Sequence, residues 1–359
     1  MDSAVQQRRF ITLAEKVSSI PAAEVASVQS AVRLEDVAAA AGVSTITASR
    51  CISNPSRVSE KTREHVLRVA AELGYIPNRL ASSLASARTR VIGAVIPTLL
   101  NPVHSVVLNA ALEVLAPAGY QLLLGTSHYS TREELDLVRT FLGHRVDGVL
   151  LTGRDHANDA VTLLRRAGMP TVEMFEHIAD PIDVGIGSSN FEAGFSLGKY
   201  LIGQGRRNLA FVGHTDFHDS RIMGRQEGMI AATAETAARA RTYTVASQPG
   251  SGTGGEIVGT ILREAPDTDA VVFAGHQLAV GAIRYALDVG IDVPSRLSIA
   301  GFGDSPVAQW IKPSLTTVIF PLEAMGRAAG TALLKRVAGQ DPGARTIRLG
   351  FDIVRRESA

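Results

Sequence analysis

Ser44, Thr45, Thr47 and Ser49 place four short hydroxyl side chains within six residues, and Arg50 sets a guanidinium directly after them. Such side chains offer single hydrogen bonds and methyl groups, and with Arg50 they suit base edges and phosphate oxygens. The alternative is a helical hairpin whose Ser and Thr serve solubility. A second set of polar residues lies further along: Asn101 and His104 in "NPVHS", Arg225 in "RIMGRQEGM", His276 after "VVFAG", and Asp304 after "IAGFG". A guanidinium such as that of Arg225 grips a carboxylate or vicinal hydroxyls through a two-pronged fork, against the plainer reading of a surface ion pair.

These groups must be held by particular elements. Leu34, Val37, Ala38 and Ala41 fall on one helical face, Gly42 is placed to end that helix, and Ser44 can cap a second one running from Thr45 to about Ile52. Asn54-Pro55 stops it. Ser59 then caps a third helix with an apolar stripe of Val66, Val69, Ala70 and Leu73, closed by Gly74. Helix, tight turn and helix predict a helix-turn-helix, in which the second helix enters the major groove. Cys51 reads as a small buried filler.

From Arg90 onward, short apolar runs alternate with amphipathic segments: "RVIGAVIP", "YQLLLGTS", "VDGVLLTG", "MPTVEMFE", "DVGIG", "NLAFVGH", "RTYTVAS", "DAVVFAG" and "LSIAGFG". This is the pattern of βαβ units, and so many strands fit two similar half-domains better than one sheet. Ligands of such sheets lie at the carboxyl ends of the strands, where Asn101, His104, His276 and Asp304 stand.

Composition narrows the classes. With 45% hydrophobic and 20% charged residues the chain is globular, and no apolar run approaches the roughly 20 residues that cross a bilayer. No apolar stretch resembling a secretory signal opens it, so a cytoplasmic protein without membrane contact is expected. A single cysteine excludes an internal disulfide and a cysteine zinc cluster. The net charge of +1 conceals nine Lys or Arg against five acids between residues 33 and 90, the footprint of a chain that meets a polyanion with one end. "GSGTGG" sets Gly250, Gly252 and Gly255 in dinucleotide-loop spacing, but the strand before it is polar and the next strand ends in Gly275-His276 instead of an acidic ribose ligand. A nicotinamide-dependent enzyme is therefore the remote alternative. No catalytic residues, cofactor or metal are expected.

The block from Leu34 to Val103 resembles the amino-terminal part of the lactose repressor (LacI) family of bacterial transcription regulators. It carries D-V-A-x-x-A-G-V-S-x-x-T-x-S-R with Ala48 where a Val is usual, then V-S-x-x-T-R and G-Y-x-P-N-x-x-A-x-x-L. The resemblance implies an α/β protein: a small all-α helix-turn-helix domain followed by a periplasmic-binding-protein-like core of two doubly wound parallel-sheet subdomains. It extends the set facing double-stranded operator DNA to Leu34, Ser44, Thr45, Ile46, Thr47, Ser49, Arg50, Ser53, Arg57, Tyr75, Asn78 and Arg79. It makes Pro77–Ser86 a hinge helix whose Leu84 wedges into the minor groove and kinks it, the alternative being Leu84 buried against the core.

For the core, the resemblance implies a small-molecule effector met by Asn101, Val103, His104, Arg225, His276, Gly303 and Asp304. Two departures bear on its chemistry. Gly275-His276 stands where many sugar-binding members read N-D, and Phe302-Gly303-Asp304 where they read Y-D-[DN]. Both remove a carboxylate, which favours an anionic sugar acid such as gluconate over a neutral sugar. The alternative is that Asp304 takes over the missing role. "NFEAG" and "IAGFG" also resemble the gluconate-repressor branch. The expected organisation is a mobile extension at 1–32, the helix-turn-helix at 33–76, hinge and linker at 77–90, and the effector-binding and dimerisation domain at 91–359. Within it, subdomain one takes 91–176 plus 318–343 and subdomain two 177–317 plus 344–359. "TTVIFPLEAMGRAAGTALLKRVAG" resembles the family's return segment, and with no leucine heptad following, a homodimer is expected.

Overall fold

The structure, a computed structural model, describes residues 32–53, 57–76, 88–214, 219–246 and 251–359. The chain divides into two units after residue 87. In the first, helices α1 (Leu34–Ala40), α2 (Thr45–Ser53) and α3 (Glu60–Glu72) follow the capping signals. Asp36 turns back to accept the Arg33 N–H at 2.8 Å, setting a carboxylate at the start of α1. Gly42 follows with φ of 65°, and a Cβ there would meet nothing within 4 Å. The glycine thus serves a left-handed turn and not a lack of space. Val43 N–H reaches back to the Ala38 carbonyl at 3.0 Å, closing the turn.

Val37, Ala38, Ala41, Ala48, Cys51, Val66, Val69 and Ala70 form the core of this unit. Fully burying a valine such as Val37 or Val66 contributes roughly 1.5–3 kcal/mol. Cys51 is the buried filler the pattern predicts, at 1% exposure. Ala48, the departure from the family pattern, is fully buried, so it changes core volume and leaves the exposed face alone. Leu73 is 39% exposed and does not continue the apolar stripe, because it lies past the last turn of α3.

In the second unit each of the nine apolar runs forms a strand. The chain order is β1 (Val91–Ile96), α4 (Pro102–Leu115), β2 (Gln121–Thr126), α5 (Thr131–Gly143), β3 (Gly148–Thr152), α6 (Asn158–Ala167), β4 (Thr171–Met174) and β5 (Val184–Gly187). It continues through α7 (Asn190–Gly203), β6 (Asn208–His214), α8 (Ser220–Ala234), β7 (Arg239–Val245), α9 (Ser251–Glu264), β8 (Ala270–Phe273), α10 (His276–Asp288), β9 (Ser298–Phe302), α11 (Pro306–Trp310) and β10 (Thr316–Ile319). Last come α12 (Leu322–Val337), β11 (Thr346–Arg348) and β12 (Asp352–Val354). One sheet has the order β11-β5-β4-β3-β1-β2, the other β12-β10-β9-β8-β6-β7. All pairings are parallel except β10 with β12.

The halves divide differently from the sequence expectation. The first half runs past residue 176 to include β5, whose Val184 pairs with Val172 of β4 and whose Gly185 pairs with Thr346 of β11. β10 belongs to the second sheet, so the return begins after Ile319 instead of at 318. The terminal segment is shared: β11 joins the first sheet and β12 the second. Pairing with distant strands decides these memberships, and nothing local in "DVGIG" or "RTIRLGFDIVRR" reports it. The return itself is present. α12 lies against α4, so close that a Cβ on Gly326 would fall 2.2 Å from the Val107 carbonyl. "GSGTGG" has a packing explanation as well: a Cβ on Gly254 would fall 2.0 Å from the Leu278 carbonyl and one on Gly255 2.6 Å from Tyr285, where α9 meets α10.

Candidate functional site

Two places carry the polar residues singled out by sequence. The first is α2. Ser44 accepts the Thr47 N–H at 3.2 Å and lies 2.9 Å from the Thr47 hydroxyl, so this pair builds the helix start. Thr45, Ile46 and Arg50 are exposed and Ser49 is partly so; the four sit at i, i+4 spacing on one side of the helix. Ile46 is 64% exposed, a large apolar side chain offered to solvent beside a guanidinium. Arg57 is also exposed, Leu34 is partly buried, and Tyr75 packs against the helical core. The Ser53 side chain and Asn78, Arg79 and Leu84 lie outside the described residues.

The second place is the crevice between the halves, at the carboxyl ends of the strands. In each sheet the order of strand addition reverses there, between β1 and β3 and between β6 and β8. Arg225, on the second turn of α8, donates its Nε to Asn190 Oδ1 at 2.9 Å and Nη1 to the Ala274 carbonyl at 2.8 Å. Its guanidinium lies 4.8 Å from the Phe302 ring centre and 5.3 Å from that of Phe320. No ion pair involves it among the described residues. Burial and the neighbouring Arg221 charge pull its pKa down to about 10.

Arg221, one turn earlier, is fully compensated. Its Nε and Nη2 reach the two oxygens of Asp219 at 2.9 and 2.7 Å, and its backbone N–H bonds the same carboxylate at 3.0 Å. Burial opposes the Asp219 charge, but the guanidinium outweighs it and brings the carboxyl down to about 2. Two carboxylates of the first half meet the start of the same helix. Asp155 accepts the Ser220 N–H at 2.7 Å, and Glu176 accepts the Ser220 hydroxyl at 2.8 Å.

His104 sits in α4 at 1% exposure, edge-on to Phe175 with ring centres 5.2 Å apart. Neither ring nitrogen has a hydrogen-bond partner. Burial, reinforced by Arg221, lowers its pKa to about 3, so the ring is neutral. A buried imidazole with both nitrogens unused is a polar group in want of a partner. Asn101 caps α4 by accepting the Val103 N–H at 3.3 Å, and Val103 packs against the first core. His276 begins α10, with its pKa lowered by burial. Gly303 has φ of 82°, and a Cβ on it would stand 3.0 Å from His276 Nδ1 and 4.0 Å from Val103, so the halves approach each other over this glycine.

Asp304 departs from expectation. Its two oxygens accept from Arg356 at 3.1 and 2.6 Å, from the Ser305 N–H at 2.9 Å and from Gln309 at 3.0 Å. A carboxylate has about four acceptor positions, and all are in use. Asp304 therefore holds the terminal segment and has no vacancy for a ligand hydroxyl. The sequence reading also missed residues that the fold brings to the crevice: Asn190, Asp219, Arg221 and Tyr129. "DSR" at the start of α8 was the available signal for two of them. Tyr129 lines the crevice from the loop after β2, where His128 and Tyr129 both adopt positive φ, 48° and 63°.

Two family models match the chain. The family described as bacterial regulatory proteins, lacI family, matches residues 33–78, and the periplasmic binding protein-like domain matches 199–359. The HTH-type transcriptional regulator GntR of Pseudomonas aeruginosa is 35% identical over 90% of this chain and 95% of its own length. The regulator of the same name in Escherichia coli K12 is 32% identical, covering 89% and 96%. A solved LacI family regulator from Silicibacter pomeroyi superimposes with a TM-score of 0.84 at 31% identity, covering 91% of this chain and 99% of that one.

Proposed function

Because the chain belongs to the LacI family of bacterial regulatory proteins, we propose that it is a repressor of sugar-acid catabolism genes, released from its operator by a small polyhydroxy acid of the gluconate type. The single observation that carries the acid is Arg225, a guanidinium enclosed by Phe302, Phe320 and Asn190 with no carboxylate against it. An unpaired cation in a partly desolvated crevice is stabilised by an anion that brings its own charge. A neutral sugar leaves it unpaired. His104, His276, Val103 and Asn101 complete the surroundings, with the His104 ring in the neutral form that accepts from or donates to a hydroxyl.

In this account the exposed face of α2 reads a half-site of operator DNA, and a homodimer reads a pseudo-palindrome in the cytoplasm. Leu84 keeps the wedge role that the family resemblance implies. The acid closes the crevice around Arg225, changes the relative orientation of the two halves and so weakens operator binding. Titration calorimetry of the full chain tests the effector assignment. Gluconate binds the wild type, glucose does not, and Arg225→Met loses gluconate by at least about hundredfold while operator affinity without effector stays unchanged. Binding of glucose in preference to gluconate would overturn the acid reading.

A further inference from the structure

Two guanidiniums stand one helical turn apart on α8, and among the described residues only Arg221 has an ion-pair partner. Asp219 occupies Arg221 through both prongs of its fork, with Nε and Nη2 at 2.9 and 2.7 Å. The two side chains are 7% and 11% exposed, so the pair is shielded from solvent competition. Arg225 has amide and carbonyl partners but no acid. Around Arg221 the lining is hydroxyl-rich and acidic: Ser127, Tyr129, Thr152 and Asp155 face the same space as Asp219 and Arg221.

Such a crevice has one seat for a carboxylate. A chain of hydroxyls extending from that carboxylate meets hydroxyls and carboxylate acceptors, which suit it. A second carboxylate at the far end meets Asp155 and Asp219 instead, and the cations beside them are already paired, Arg221 with Asp219 at 2.7 Å and Arg154 with Glu176 at 3.4 Å. Placing it there sets like charges together in a partly desolvated space. We propose that Asp219 is the specificity residue of this site: by filling the fork of Arg221 it selects polyhydroxy monocarboxylates over dicarboxylates of the same carbon skeleton. The inference rests on the sugar-acid reading above and adds to it the class of acid and the residue that sets it.

Asp219 also caps α8, and a purely structural role would end there. The two roles separate cleanly, because asparagine caps a helix start as well as aspartate does. Asp219→Asn keeps the cap, removes the charge and leaves Arg221 available to a second carboxylate.

The test is calorimetric titration of the full-length wild type, Asp219→Asn and the double variant Asp219→Asn/Arg221→Gln with gluconate, glucarate and glucose, with circular dichroism as the check on folding. In the wild type gluconate binds more tightly than glucarate by at least about tenfold. In Asp219→Asn the ratio moves toward glucarate by at least about tenfold, and adding Arg221→Gln abolishes that gain. Should Asp219→Asn fail to fold, Asp219→Ser, another good cap, takes its place. Gluconate binding with an unchanged ratio in the folded variant overturns this inference and leaves the sugar-acid reading intact. Silence of the wild type toward both acids overturns the two together.

Discussion

Arg225 and Asn190 are joined by a 2.9 Å hydrogen bond from Nε to Oδ1, and the Asn190 amide in turn donates to the Phe175 carbonyl at 3.4 Å. Asn190 opens α7 in the second half, and Phe175 follows the end of β4 in the first. The amide therefore fixes the guanidinium at the seam between the halves, where no carboxylate among the described residues forms an ion pair with it.

Asn190→Asp places a carboxylate where only an amide oxygen stands. The new charge pairs with Arg225, so the fold is retained, and the crevice loses its free cation. Gluconate affinity falls by at least about hundredfold, and glucose remains unbound. Calorimetry reads both, and unchanged gluconate binding would remove Arg225 from the site.

Two buried histidines give stability opposite pH limbs. His156 lies between Glu134, at 2.7 Å from Nδ1, and Glu173, at 3.3 Å from Nε2. Burial opposes its charge, but the two glutamates together outweigh that and raise its pKa from 6.5 to about 10. Its stabilisation is thus complete below 6.5 and is lost as pH rises toward 10. His104 is lowered from 6.5 to about 3, so its contribution is complete above 6.5 and is lost as pH falls. His156→Gln lowers the melting temperature at pH 6 by at least about 2 °C. The gap to the wild type narrows steadily through pH 9, and a gap independent of pH would contradict the ion-pair assignment.

On α2, exposure separates the packing residues from those proposed to read DNA. Ile46→Ala leaves stability within about 0.5 kcal/mol and weakens a selected operator by about tenfold. Arg50→Met lowers the slope of log affinity against log salt by about one if it meets phosphate. Ser44→Ala removes the cap, costing about 1 kcal/mol of the unit's stability. Anisotropy and thermal melts distinguish the three.

Most of the architecture was legible because its signals are local. Capping at Ser44 and Ser59, the Gly42 turn and the nine apolar runs all lie within a few residues of what they specify. What the sequence hid is non-local. β5 and β11 pair across about 160 positions of chain, and the acceptors of Asp304 are filled from Arg356, 52 residues on. The His156 cluster likewise gathers Glu134 and Glu173 from separate elements. Arg225 was found through its motif, whereas Arg221 was passed over although Asp219 stands only two residues before it. A local fork of that kind is invisible until the helix start aims both side chains the same way.

Asp304 and Arg356 belong to this hidden framework. Asp304→Asn changes gluconate affinity by less than about twofold, because the carboxylate serves the terminal segment. Arg356→Met, which leaves Asp304 short of two donors, costs about 1–3 kcal/mol of stability. A large loss of gluconate binding in Asp304→Asn with stability intact would return this residue to the effector site.

The measurement that bears most directly on the central claim is operator binding by fluorescence anisotropy, using fragments that the chain itself selects from random-sequence DNA, at two salt concentrations and with gluconate or glucose. Tight binding that falls steeply with salt and is weakened by gluconate alone is the predicted result, with DNA reducing gluconate affinity by the same factor. Tight operator binding that responds to glucose and ignores gluconate would contradict the acid-controlled switch, and failure to select any fragment would contradict the repressor itself.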